Sequence, residues 1–462
     1  MMPGIVAADG ASAPATHAMG VEQRRPKEPG AAWIYAYLAV QIGCQLALLP
    51  SALAPGRIVY RSAAFGTSLL FCLLVPGRPL VSSPVRIGVF VILMIVTLSA
   101  FNPESAGPLA ALAHLAFYAS VLAPTIWVPR LKLDPRSLER LLVVLWALST
   151  ASAAVGVLQA YFPGQFQPNI AMLAAENGKQ RLEAVMIRLN SGDWIPRPMG
   201  LTDTPGGAAY GGFYAALLGL GIGFRRPFPF ARLAAGSSMM VGATCLYLCQ
   251  IRSLMVMLLI CFLAVIVIFA FSGRLSRSGV AAAGAVALGV GGLYLAISLG
   301  GQDVSNRVAT LVASDVGTVY YHTRGSFLER TFVTYLPDYP LGAGLGRWGM
   351  VNQYFAGGRN SLWAEIQLTG WLFDGGILLL IAYPVTVVAA VWQGARTALR
   401  HWSSPELDGW AAVIGGYNVG ALALTFSSPL FMSTAGVEFW LINATLLQVA
   451  RLRSKAMVSE RG

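Results

Sequence analysis

Four arginine-bearing segments hold the residue types best suited to chemistry on a charged substrate. Trp194-Ile195-Pro196-Arg197-Pro198-Met199-Gly200 keeps Arg197 in a stiff, proline-flanked stretch just ahead of an apolar run. Cys249-Gln250-Ile251-Arg252-Ser253 leaves Arg252 capping a tight turn between two apolar runs. Tyr320-Tyr321-His322-Thr323-Arg324 opens a third segment, which continues through Pro337-Asp338-Tyr339 to Pro340-Leu341-Gly342-Ala343-Gly344-Leu345-Gly346-Arg347-Trp348. The fourth reads Gly358-Arg359-Asn360-Ser361-Leu362-Trp363-Ala364-Glu365. A guanidinium is a permanently charged planar fork that matches phosphate oxygens, so these segments suit the handling of phosphoryl groups. Each has a plainer role as well. Arg197 and Arg252 also fit interfacial cations that snorkel to lipid headgroups, and His322 fits a solvated loop histidine. Trp194, Trp348 and Trp363 fit a membrane interface as well as they fit stacking on sugar rings. By chemistry alone His322, Asp203, Asp338 and Glu365 are all candidate bases. The glycines at 342–346 permit a tight backbone path but form no nucleotide loop, since no strand precedes them and no Lys-Ser/Thr follows.

The elements that must position these residues belong to a membrane protein. The 462-residue chain is 56% hydrophobic and only 11% charged, with a mean hydropathy of +0.63, whereas soluble domains carry about 25% charged residues. That composition excludes a secreted disulfide scaffold, a disordered chain and an ordinary soluble enzyme. The net charge of +12 does not argue for nucleic acid, because Lys and Arg punctuate apolar runs instead of gathering on one hydrated face. All five cysteines (Cys44, Cys72, Cys245, Cys249, Cys261) fall inside apolar runs, where free Cys behaves as a small hydrophobe. They imply neither a disulfide framework nor a metal site.

Apolar runs of roughly 20 residues, the length a spanning helix needs, begin near residues 33, 58, 87, 108, 141, 205, 233, 254, 278, 371, 410 and 437. The expected fold is therefore all-α and polytopic, with about twelve transmembrane helices. Most of the 32 Lys and Arg lie on the side of the termini, and the short connections 102–107 and 429–436 on the other side have none. Both termini are thus expected in the cytoplasm. Residues 1–30, rich in Ala, Gly and Pro and without a signal-peptide core, read as a disordered cytoplasmic tail. Residues 31–452 read as one transmembrane domain and 453–462 as a second cytoplasmic tail.

Only two outer loops are long, at about 162–204 and 300–370, and long loops in a compact protein are usually functional. In the first, residues 180–190 (QRLEAVMIRLN) place Leu182, Val185, Met186 and Leu189 at helical spacing, with Arg181, Glu183 and Arg188 elsewhere. This predicts an amphipathic helix on the membrane surface. In the second, a helix is expected to run to Leu336.

Taken in order, these segments resemble the bacterial O-antigen ligase and O-antigen polymerase superfamily. LPDYPLGAGLGRWGM followed by RNSLWAEIQLTGWLFDGGILLL is similar to the family's "hPllGvGlG" stretch, its following "HN" and its Gly-rich lead into a span. RPMGLTDTPGGAAYGGFYAALLG is similar to its Arg-Pro-x-Gly segment, and QIRSLMVMLLI to its Ser-Arg hairpin. The resemblance covers about residues 195–390. It implies a GT-C-like, metal-independent, inverting glycosyltransferase without cofactor, working at the periplasmic face of the bacterial inner membrane. The implied donor is a glycan on undecaprenyl pyrophosphate, and the acceptor is lipid A core for a ligase or another lipid-linked repeat unit for a polymerase. The family's pyrophosphate-holding arginines fall on Arg197 and Arg252, and its loop arginine falls on Arg324.

Where ligases carry His in a His-x10-Gly pattern, this chain has Arg359 and Gly370. Arg181 with Gly192, and Arg347 with Gly358, repeat the Arg-x10-Gly spacing described for polymerases, which favours a polymerase. Arg197, Arg252, Arg324, Arg359 and His322 form the expected catalytic set. Arg181, Arg188, Arg347, Trp363, Glu365 and Asp338 are expected to bind substrate. The rival class is a secondary transporter or lipid-linked oligosaccharide flippase, which would place ionisable groups near the bilayer midplane. No carboxylate lies in any span core: Glu438 and Asp374 read as outer-end residues, and His114 stands alone in the fourth span, read as packed.

Overall fold

The computed structural model describes residues 30–76, 82–166, 186–188, 194–224, 229–298, 304–305, 309, 316–358, 360–400, 402 and 404–459. Within them a helix starts close to each expected position. The twelve are α1 (Ala32–Ala47), α2 (Arg57–Leu74), α3 (Pro84–Ser99), α4 (Pro108–Leu122), α5 (Pro135–Tyr161), α6 (Ala208–Gly223), α7 (Pro229–Cys249), α8 (Arg252–Phe271), α9 (Leu275–Ser298), α10 (Gln367–Leu399), α11 (Pro405–Leu424) and α12 (Thr434–Ser459). Local chemistry sets several starts. Pro stands in the first turn of α3, α5 and α11, and Ser83, Asp134 and Ser404 accept a backbone N–H at the respective N-caps, satisfying donors the helix leaves open.

By length and composition α2, α5, α8, α9 and α10 can each cross a membrane, and α4 with the bent segment after it makes a sixth. Three others, α1, α3 and α6, are apolar but short, at 16 residues each. The surface of α3 shows what solvent it suits: Ile87, Phe90, Met94 and Leu98 are more than half exposed along one face, while Val89, Ile92 and Val96 are fully buried on the other. A helix apolar all round is stable in hydrocarbon and costly in water.

Interhelical packing uses small residues. α6 lies against α5 and α7 and buries nearly every residue. At Gly212 a methyl group would come 2.6 Å from the carbonyl oxygen of Gly242 on α7, so the two backbones touch directly, as small residues permit in membrane bundles. Between α11 and α12, the buried amides of Asn418 and Asn443 exchange hydrogen bonds of 2.6 and 2.8 Å.

The two long loops compare differently with expectation. Residues 186–188 are not helical: Met186–Arg188 and Trp194–Pro196 form a short antiparallel pair that sets Ile187 opposite Ile195, both buried. Ile195 and Arg197 each precede a proline, which drives them to extended backbone, and the neighbouring segment joins that edge. Arg181 lies outside the described residues. In the second loop, residues 316–338 form one helical rod with π-turns at Tyr321–Gly325 and Thr331–Tyr335. The rod docks on α10 through a 2.6 Å hydroxyl contact between Thr331 and Thr369.

Candidate anion site and its supports

Arg197 sits in the turn that leads into α6. The turn closes on itself, with Gly206 N–H donating to the Arg197 carbonyl at 3.3 Å and Ala208 N–H to the Pro198 carbonyl at 3.3 Å. The α7–α8 hairpin leans on it. Cys249 Sγ lies 3.8 Å from the Pro198 carbonyl, and a methyl on Gly206 would lie 2.9 Å from Cδ1 of Ile251 and 3.8 Å from Cδ of Arg197. Gln250 turns the hairpin with φ of 55°, which lets Arg252 begin α8 at once. Arg197 and Arg252, far apart in sequence, thereby stand at one corner of the bundle.

The electrostatics of this corner are unbalanced. Nε of Arg197 is buried with no hydrogen-bond partner among the described residues, and such a group needs explaining in a folded protein. Burial pushes the Arg197 guanidinium below its ordinary value without discharging it. Two further arginines reach the same turn from α2. Arg61 lies 2.5 Å from Asp203 and Arg57 4.0 Å from it, while Arg61 also contacts the Tyr354 hydroxyl. Among the described residues, cations from α2, the turn and the hairpin thus gather here, with Asp203 as the carboxylate that the two from α2 reach. Arg57 and Arg61 were not among the expected site residues; their i, i+4 spacing puts both on one helix face, a signal that could have drawn attention to them. As a doubly paired anion, Asp203 is poorly placed to serve as a base.

A second group lies on the rod and the irregular segment before α10. Arg324, in the first π-turn, pairs with Glu365. Glu365 also accepts from Trp363 Nε1 at 2.8 Å, and Trp363 is otherwise exposed. Burial lowers the Arg324 pKa from its ordinary value. His322 and Asp338 are exposed, with the His322 ring edge-on to Tyr321. Tyr320 donates to the Phe426 carbonyl at 3.1 Å, tying the rod to the α11–α12 turn. Arg347 is occupied within its own loop: it donates to the Ala343 and Asn360 carbonyls and sits 3.6 Å from Glu104. Arg359 lies outside the described residues. The backbone of Arg188 pairs with Trp194 in the hairpin.

The Gly-rich segment has a structural explanation. α10 breaks at Gly375 and Gly376, where Gly376 adopts φ of 61°. The loop repairs the break: Ala343 N–H donates to the Phe373 carbonyl at 2.7 Å, and Ile377 N–H to the Pro340 carbonyl at 3.0 Å. A methyl at Gly376 would lie 2.2 Å from the Pro340 oxygen, so loop and break require each other.

Beside the break, Asp374 is fully buried and accepts from Tyr118 at 2.7 Å and from Trp348 Nε1 at 2.9 Å, with His114 Nε2 at 3.1 Å. His114 is packed, with Asp374 as its neighbour from another span, and Asp374, near the start of α10, is the hub of a buried polar cluster.

Glu438, on the first turns of α12, is hydrogen-bonded to Tyr214, whose hydroxyl is 2.8 Å from that of Tyr417. No known family model matches this chain, and no curated protein does either.

Proposed function

We propose that this protein is a twelve-span inner-membrane glycosyltransferase, both termini cytoplasmic, that polymerises undecaprenyl-pyrophosphate-linked repeat units into surface polysaccharide at the periplasmic face. The observation that carries this reading is the convergence of Arg197 and Arg252 from separate segments at one corner, with a buried donor of Arg197 unspent. Such a corner suits a pyrophosphate. In the reaction the acceptor hydroxyl attacks the anomeric carbon, the bond from that carbon to the phosphate oxygen breaks with inversion, and the lipid pyrophosphate departs with the electron pair. Preoriented donors aimed at that developing charge are commonly the largest contribution to such catalysis. Arg197 and Arg252 hold the phosphates in this account, and Arg359 adds positive charge. Arg324, already paired with Glu365, fixes the rod that covers the acceptor side. The hydroxyl proton passes to His322 or Asp338, the two candidate bases that no ion pair occupies among the described residues, or leaves late in a dissociative reaction.

The reading is tested with purified protein, EDTA and a lipid pyrophosphate oligosaccharide, with and without lipid A core. A ladder from the donor alone is the expected product. Product only with lipid A core identifies a ligase instead, and no product with a matched donor and folded protein returns the weight to a transporter.

A further inference from the structure

At the opposite end of the bundle from the Arg197 corner lie two adjoining cavities that the proposed transfer does not use. The first, about 190 Å³, lies between the start of α3 and the later turns of α10 and α12; the second, about 590 Å³, lies between the ends of α10 and α12. They share Gln393, Leu447 and Arg451. The first is lined by Arg86, and the second by Arg396, Arg400 and Lys455. None of the described lining residues is acidic. Asp408, a carboxylate at the start of α11, is engaged by Arg274 at 3.0 Å.

A basic rim alone is what the positive-inside rule leaves on any cytoplasmic face. Arg86 goes beyond that rule. It is 9% exposed and its Nη1 is buried with no hydrogen-bond partner, yet it lines the inner cavity close enough to Arg451 for the two charges to repel. A cation held inside, facing a second cation and with no counter-ion among the described residues, is costly unless an anion completes it. The inner cavity exceeds the roughly 30 Å³ that one water occupies in the liquid several times over, enough for a tetrahedral oxyanion. Gln393 adds an amide donor.

We infer that these cavities form a phosphate-binding site, with Arg86 and Arg451 as the inner clamp and Arg396, Arg400 and Lys455 as the outer funnel. The phosphate belongs either to a phospholipid headgroup of the adjoining leaflet or to a small soluble phosphate. The inference does not depend on the glycosyl-transfer reading, since the site lies at the far end of the bundle.

The test uses the full chain and two probes. Native mass spectrometry compares retention of phosphatidylglycerol with that of phosphatidylcholine, and a thermal-stability titration in detergent compares inorganic phosphate with chloride at equal ionic strength. Arg451→Gln, at the junction of the two cavities and only partly buried, is expected to weaken binding about tenfold, the size of one charged hydrogen bond lost. Arg86→Met is expected to do at least as much, and Arg136→Gln, an exposed cation elsewhere on that face, to change nothing. Preference for phosphatidylglycerol assigns the lipid source, and a response to inorganic phosphate alone assigns the soluble one. Absence of preference in both probes overturns the inference. So does Arg451→Gln binding like wild type, or Arg136→Gln losing as much as Arg451→Gln.

Discussion

Under the proposed function, Arg252→Ala is expected to lower glycan transfer by about 10²–10³-fold, the usual cost of removing one preoriented donor from a developing oxyanion. Arg197→Ala falls in the same range, and the double variant loses less than the product of the two, because groups that hold one charge act as a unit. Arg252→Lys recovers part of the loss, since Lys keeps the charge without the planar fork. The assay follows ladder formation from the lipid pyrophosphate donor, with helicity and thermal midpoint confirming that each variant is folded. Arg57 and Arg61 are predicted to matter less, because both already bind Asp203. Equal activity in Arg252→Ala and wild type removes this residue from the site.

Asp374→Ala destabilises the protein by about 3–5 kcal/mol, the range found when one partner of a buried charged network is deleted. The substitution leaves Tyr118, Trp348 and His114 facing an apolar gap, each having lost its carboxylate contact. Asp374→Asn loses less, since its carbonyl still accepts one of those bonds. The measurement is the thermal midpoint in detergent by intrinsic tryptophan fluorescence, and Trp348 should report directly on the cluster. Because Asp374 adjoins the Gly375–Gly376 break that the 340–346 loop completes, the variant also lowers activity by loosening the segment leading to the rod.

How legible these features were in the sequence depends on the range of the interactions behind them. Helix starts follow from apolar run length and from caps such as Ser83, Asp134 and Ser404, which act within one turn. At 186–188 the amphipathic spacing misled, because the prolines at 196 and 198 fix an extended edge that a three-residue strand can join. The Asp374 cluster was not legible at all, since its donors come from α4 and from Trp348. The α2 pair Arg57 and Arg61 meets Asp203 across more than a hundred residues, and no local pattern announces that contact. Arg197 and Arg252 stood out because each is a cation beside an apolar run. That they meet follows only from the close packing of α6 on α7, where Gly212 and Gly242 bring the turn at 197–207 against the hairpin at 249–252.

The most direct measurement is binding of undecaprenyl pyrophosphate to the folded protein by native mass spectrometry, in EDTA, across wild type, Arg197→Gln/Arg252→Gln and Arg451→Gln. The prediction is that wild type and Arg451→Gln retain the lipid pyrophosphate while the double variant loses it by tenfold or more, or about 1.4 kcal/mol at the least. Retention of the lipid pyrophosphate by the folded double variant at the wild-type level would contradict the claim that these two arginines hold the donor.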